Sequence, residues 1–406
     1  MAYVAVSGGR EAVERAIALL EKYRTEGSSE LEGEALEKRM SLLLARIMGE
    51  AGFYAPSYAA LALKQSEGSP EEAVFLLRAY RSTLPRSYET LPLDGADMDL
   101  HRRISAAFKD LAGGQFLGPT YDYTHRLLNF DLLNEGPEET AAIRGKWDAE
   151  AAGTGAGDAA AGDAPEALRA PRLSEELRRE GLLRAGAAAA PEAPWDITQK
   201  PLSFPAPRSA RLQALARSDT GFISGLAYAA IRGFGPSHPT VGELRTGMLE
   251  VIIPHPVVPG ETLCVGEILV TETESLFPEE EARIKKDETE DPLRILGSGQ
   301  GDRADESPNS LGLASGYGMV FGRNDTKAIA MSILDYSLSA AGDSPLGAGA
   351  VLQNQEFVLL HGDSLEMNGF IAHLKLPHYV TFQSKLDRVR RGRSGGPSGG
   401  ARGGGA

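Results

Sequence analysis

Cysteine is almost missing. The 406-residue chain has one, Cys264, so no intrachain disulfide can form. A single thiol suits a reducing, cytoplasmic setting. Its place in the apolar run TLCVGEILV predicts a small buried side chain. Long apolar runs are missing too. Nowhere do eighteen apolar residues follow one another, so a transmembrane helix is not expected. The first residues, MAYVAVSGGREAVERA, offer no signal-peptide core. Basic charge is in deficit, with 42 Lys and Arg against 56 Asp and Glu. A net charge of −14 argues against a general nucleic-acid binder, which needs a basic face. The motif inventory lacks an HExxH metallohydrolase helix, a P-loop GK[ST] and any internal repeat.

What is present is ordinary globular material. With 42% hydrophobic and 24% charged residues, a chain this long buries a core without disulfides or metals. YVAV alternates as a short strand and stops at Gly8-Gly9. Helical spacing follows in REAVERAIALLEKYRTEG, GEALEKRMSLLLARIMGEAG, PSYAALALKQSEG and SPEEAVFLLRAYRSTLP. The last has Ser69 as N-cap, Pro70 at the first helical position and Glu71 and Glu72 in the first turn. Residues 1–144 are therefore expected to form a mainly helical N-terminal domain.

Residues 145–194 are Ala- and Gly-rich, with one short amphipathic helix, LSEELRREGLLR. This composition predicts a linker or surface excursion. Residues 195–390 read as a mixed domain. Helices are expected in PRSARLQALARSD and TGFISGLAYAAIRG, strands in TGMLEVIIPHP and GETLCVGEILVTETE with a turn at PVVPGE. GYGMVFGRNDTKAIAMSILDYSLSA gives a strand, a turn and a helix capped by Asn324 or Asp325. FVLLHGDSLEMNGFIAHLKLPHYVTFQSKLDRVRR reads as strand, turn, strand, helix. Residues 273–314 form an acidic insert. The stretch 272–306 alone holds 12 acidic against 5 basic side chains, and residues 277–310 are expected to be a solvated loop. Residues 391–406 predict a disordered Gly-rich tail. The class is α+β.

Three clusters are candidates for chemistry. His373 and His378 are five residues apart. On a helix that spacing turns the rings about 140° apart, and on a strand it puts them on opposite faces. Pro377 disfavours helix at Leu376 and permits a turn that brings the rings together. Two histidines do not complete a zinc site, which needs three or four ligands. The pair reads as metal ligands needing help from elsewhere, or as hydrogen-bonding histidines.

The second cluster is KDLAGGQFLGPTYDYTHRLLNFDLL, with Asp122, His125 and Arg126 after two Gly turns. It reads as a phosphate-receiving turn or as a tight turn into a helix that packs Tyr, Leu and Phe. The third is IRGFGPSHPTVGELRTG, with Arg232, His238, Glu243 and Arg245 expected in a loop. Glu243, Asp122 and His238 are the candidate acid–base residues. Arg126, Arg232 and Arg245 are the candidate phosphate contacts. Arg78, Arg81, Arg86, Arg102 and Arg103 read as solvated or structural.

Long strings within the chain carry a resemblance. YVAVSGG, AVFLLRAYRSTLPR, RRISAAFKDLAGGQFLGPTYDYTHRLLNFDLL, RSARLQALARSDTGF, LAYAAIRGFGPSHPTVGELRTG, GYGMVFGRNDTKAIAM and GFIAHLKLPHYVTFQSKL resemble the PhnI family, the I subunit of the bacterial carbon–phosphorus lyase complex. The resemblance implies a core assembly with G, H and J subunits and work alongside the ATPase-like L and K subunits. It implies transfer of the ribose 5-triphosphate moiety of MgATP to an alkylphosphonate, releasing adenine, and nucleosidase activity when the subunit is alone. It further implies that His373 and His378 belong to a zinc site at the contact with J. A non-catalytic scaffold that completes a partner's metal site is the alternative.

Overall fold

A computed structural model describes residues 9–27, 30–153, 169–183, 194–235, 238–278, 312–339, 350–376 and 379–394. The expected strand YVAV, most of the acidic insert, His378 and the tail from 395 lie outside the described residues.

The N-terminal part is helical. It contains α1 (Gly9–Thr25), α2 (Gly33–Arg39), α3 (Ser41–Ala51), α4 (Pro56–Gln65) and α5 (Pro70–Thr83). The segment read as one helix from Gly33 is two, broken at Met40, whose backbone leaves helical geometry. α5 begins as its sequence dictates, with the Ser69 hydroxyl accepting from the Glu72 N–H at 3.3 Å. Apolar side chains of α2–α5, among them Leu44, Ile47, Leu63, Val74 and Leu77, form one core. α1 buries nothing.

Between α5 and α6 (Pro137–Gly153) runs a strand that the sequence did not announce, β1 (Asp99–Ile104). It joins β2 (Thr240–Pro254), β3 (Thr262–Pro278) and β4 (Leu313–Phe321) in a four-stranded antiparallel sheet of order β1-β2-β3-β4. The β2–β3 hairpin turns where expected, with His255 N–H on the Glu261 carbonyl. Its distal end stands clear of the body, so Cys264 is exposed and not buried as expected. α7 (Leu173–Arg179) lies within the stretch read as a linker, yet Leu173, Leu177 and Leu183 pack with Leu276 of β3. Residues 169–183 are thus a strap over one sheet face.

The other face carries α8 (Arg208–Arg217), α9 (Thr220–Ala229) and α10 (Asp325–Ser339). Gly316 and Gly318 of β4 lie directly beneath α10. A Cβ at Gly318 would overlap the Ala328 carbonyl oxygen, and one at Gly316 the Ser332 carbonyl oxygen. Neither obstacle is a flexible side chain, so relief requires moving the helix. Gly318→Ala is expected to cost about 3 kcal/mol and lower Tm by roughly 3–5 °C. A thermal scan that leaves Tm unchanged would contradict this packing.

The C-terminal region departs from expectation. The two strands predicted after Gln355 are helices, α12 (Gln355–Leu360) and α13 (Ser364–Ala372), following α11 (Ala350–Gln353). The Asn354 side chain accepts from Phe357 N–H at 3.0 Å, and Asp363 from Leu365 N–H at 2.9 Å. These caps favour helix over the strand preference of FVLL. α14 (Tyr379–Ser394) is the expected final helix.

A polar network joins α3 to the helices over the sheet. Glu50 is fully buried, and its Oε1 accepts from Arg46 Nε (2.9 Å), Thr220 N–H and Thr220 Oγ1 (both 3.0 Å). Arg78 bonds Asp363 at 2.6 Å and the Glu50 carbonyl. Lys327 is buried beside them and donates to the Ser218 carbonyl at 2.8 Å. Burial pushes its ammonium down to about 8, against the pull of Glu50 and Asp219. An unfolded lysine titrates near 10.4. Between those values the unfolded chain binds more protons than the folded one, so stability rises with pH. Below about 8 the full penalty, about 3 kcal/mol, is present. Urea unfolding should therefore show wild type gaining stability between pH 8 and 10 relative to Lys327→Met. An identical slope in both proteins would refute the buried charge.

Candidate functional site

The alternation of β1 sorts two neighbouring arginines onto opposite sheet faces. Arg103 pairs in register with Arg245 of β2, and Arg102 with Thr246. Arg103 accordingly faces the strap, and Arg102 faces the α10 side. Read from sequence as solvated or structural, both are buried.

The strap face is ionic where a sheet face is usually apolar. Glu243, Arg245, Glu272, Glu274 and Tyr317 line it in successive rows. Glu243 and Arg245 were expected in a loop; they lie within β2, each 2% exposed. Glu243 uses both oxygens: Oε1 accepts from Arg103 Nε at 2.6 Å and Oε2 from the Leu173 N–H at 3.0 Å. Arg103 also donates to the carbonyls of Ala112, Gly114 and Pro171. Glu272 Oε2 accepts from Arg172 at 2.7 Å and from the Tyr317 hydroxyl at 2.8 Å. Arg245 donates to the Ala170 carbonyl at 3.2 Å and sits 3.7 Å from Glu272. Burial pushes the Glu274 carboxyl up, with Ser174 and Arg172 opposing. Burial likewise pushes the Tyr317 phenol up, reinforced by Glu272. The void these residues enclose is about 10 Å³, room for one water. The ladder's hydrogen bonds hold the strap to the sheet.

Arg102 holds a cluster of partly exposed carboxylates. It is 3% exposed. Its Nη1 donates to the Leu117 carbonyl at 2.6 Å, its Nη2 to Asp122 Oδ2 at 2.5 Å, and its Nε lies 3.3 Å from Asp325 Oδ2. One buried guanidinium thus bridges two carboxylates that reach solvent. Asp122 Oδ1 accepts from Arg126 at 3.0 Å. Arg323 reaches the same loop through the Pro119 carbonyl at 3.5 Å and is anchored on Ser41. The loop lies flush on β1. Gly118 has φ +59, and a Cβ there would overlap the His101 carbonyl. Tyr123 and Arg126 hold left-handed backbone, φ 62 and 50, a conformation uncommon for such residues and concentrated at functional sites. Beyond it, Tyr121, Tyr123, Leu127, Leu128, Phe130 and Leu133 are exposed. The expected helix that packs them is a five-residue 3-10 turn, Phe130–Asn134.

The remaining candidates stand apart from this site. Arg232 lies in a π turn, Ala230–Phe234, with its guanidinium 5.9 Å from the Tyr228 ring. His238 is exposed just ahead of β2. His373 ends α13, its Nδ1 against the Phe370 carbonyl. Among the described residues, no group of three or more His, Cys, Asp and Glu is placed to hold a metal ion. A wider cleft of about 670 Å³ opens beside α6, lined by Arg39, Glu135, Thr140, Arg144 and Asp148. Its charges are of both signs and none is buried, so nothing there is preorganised for a ligand. No described helix is long and apolar enough to cross a membrane.

Of the six non-histidine-pair candidates, the fold brings Asp122 together with Arg126, and sets Glu243 beside Arg245. Arg102, Asp325 and Arg323 escaped sequence reasoning as site residues. The RR pair in DLHRRI carried the only signal, because Asp325 was already explained as a helix-start residue.

Known proteins resemble the chain over almost its whole length. HtxH of Stutzerimonas stutzeri, whose name assigns it provisionally to C-P lyase, is 43% identical over 399 residues, covering 96% of this chain and 95% of its own. The alpha-D-ribose 1-methylphosphonate 5-triphosphate synthase subunit PhnI of Escherichia coli (strain K12) is 40% identical over 392 residues, 96% and 98% of the two chains. The subunit of the same name from Rhizobium meliloti (strain 1021) is 39% identical over 397 residues, 96% and 95%. The bacterial phosphonate metabolism protein family PhnI matches residues 2–395. With its helical N-terminal region, antiparallel sheet and near-complete match, the chain belongs to the PhnI family, a subunit of the carbon–phosphorus lyase system of phosphonate metabolism.

Proposed function

We propose that this chain carries the glycosyl-substitution step of phosphonate activation. The ribose 5-triphosphate moiety of MgATP passes to an alkylphosphonate, adenine leaves, and water takes the phosphonate's place when the subunit acts alone. The observation that carries this reading is the carboxylate cluster on Arg102. Substitution at an anomeric carbon develops positive charge on the ribose. Asp122, held by two guanidinium groups, supplies a fixed negative charge for it. Arg126 and Arg323 contact the same loop and suit the triphosphate. The names of the Escherichia coli and Rhizobium relatives, synthase subunits for a ribose methylphosphonate triphosphate, support the same substrate class.

The expected partners are the G, H and J subunits of the core and the ATPase-like L and K subunits, in the cytoplasm. Exposed apolar side chains support docking on several sides: Val13, Ile17 and Leu20 of α1, the Tyr121–Leu133 loop, and Phe370, Ile371 and Leu374. Zinc belongs to the J contact, on His373 and His378. The Phe370 carbonyl against Nδ1 suits His373 to ligation, because a donor bond there leaves Nε2 as the basic nitrogen. The partner completes the ligand set. When bound, zinc supplies a fixed positive charge at that interface.

A scaffold role is the second reading, favoured by the same exposed apolar surface and by the incomplete metal site. Adenine release from MgATP separates the two. It is measured with the purified chain, then with G, H and L partners and methylphosphonate. Release dependent on this chain supports the enzyme; none under either condition leaves the scaffold.

A further inference from the structure

We propose that Asp325 is the catalytic acid that protonates the departing base, a role that rests on the glycosyl-substitution reading above. The two carboxylates on Arg102 live in unequal surroundings. Asp122 spends one oxygen on Arg102 and the other on Arg126. Asp325 stands 3.3 Å from Arg102 Nε without a hydrogen bond to it, and that buried Nε has no hydrogen-bond partner. The Asp325 carboxyl takes a hydrogen bond from its own backbone N–H, with Arg323 acting at longer range. A buried donor beside a carboxylate that it does not bond marks a place where a ligand or a shift of the carboxyl completes the geometry. Asp325 is also the first residue of α10, but the cap is Asn324, whose side chain accepts from the Lys327 N–H at 3.2 Å. The Lys327 N–H is thus capped by Asn324, and the partly exposed Asp325 carboxyl takes its own backbone N–H.

The surrounding charges divide the labour. Burial raises the Asp325 carboxyl above its ordinary value; Arg102 opposes, Asp122 reinforces, and its own backbone N–H and then Arg323 oppose. Environments that make paired carboxylates unlike are how one site holds both a proton donor and a fixed anion. In the step itself the ribose C–N bond breaks and its electron pair goes to the base. The Asp325 proton moves to a ring nitrogen of that base and leaves Asp325 ionised. A phosphonate oxygen forms the new bond to the anomeric carbon, and solvent returns a proton to Asp325. Asp122 keeps its charge throughout.

The test uses the assembled complex containing Asp325→Asn, with methylphosphonate and two nucleotides: MgATP, and its N7-methylated analogue, whose base is already cationic and leaves without protonation. Adenine release from MgATP should fall about 10²–10⁴-fold, and the alkaline limb of the kcat/KM profile should vanish. Release of the methylated base should change only severalfold. Asp325→Glu should restore the alkaline limb, which a purely structural role would not require. Equal loss with both nucleotides, or an unchanged alkaline limb, would overturn the assignment. A wild-type complex that releases no base overturns the glycosyl-transfer reading itself, an outcome distinct from a working wild type with an unaffected variant.

Discussion

Glu243→Gln is expected to lower stability by about 3 kcal/mol while leaving turnover per folded molecule within a few-fold of wild type. The cause is a mismatch of donors. Both carboxylate oxygens accept, one from Arg103 Nε and one from the Leu173 N–H. An amide has one acceptor atom, so its NH₂ must face one of those two donors at a position where both carboxylate oxygens are already engaged. The buried Arg103 also loses its counter-charge, and the strap its hold on β2. Urea unfolding measures the first effect, and adenine release by the refolded complex the second. Full stability with lost turnover would return Glu243 to the chemistry.

Asp122→Asn is the converse case. The same donor mismatch arises, since both oxygens accept from arginines. Here the side chain is 39% exposed, so water relaxes it, and the stability cost is expected to be only about 1 kcal/mol. Under the proposed glycosyl-substitution reading, the loss of this fixed negative charge should lower kcat for adenine release at least about 10²-fold. A rise in KM alone would mean that Asp122 only positions Arg126 for the triphosphate.

The contrast between these two carboxylates shows what was legible in the sequence. α5 was readable to its cap because Ser69, Pro70, Glu71 and Glu72 act locally. The β2–β3 hairpin was readable from its Val- and Ile-rich arms and its turn. β1 was not: DLHRRI lacks apolar alternation because the face it turns to the strap is ionic, and Arg103 is compensated by Glu243, 140 positions away. GELRTG read as a loop for the same reason, although it is a fully buried piece of strand. FVLL read as a strand until the caps at Asn354 and Asp363 enclosed it in helix. Asp122 and Arg126 were visible as an i,i+4 pair in a Gly-bounded loop. Asp325 was hidden, since its importance arises only when α10 sets it against a guanidinium from β1. Local chemistry was legible; charge compensation across the sheet was not.

The most direct test of where the chemistry occurs is a structure of the assembled complex with a non-reacting MgATP analogue and methylphosphonate. The account predicts the ribose anomeric carbon beside the Asp122 carboxylate, with the purine ring nitrogens toward Asp325 and the triphosphate toward Arg126 and Arg323. Nucleotide bound on another subunit, or on this chain away from Arg102, would contradict it.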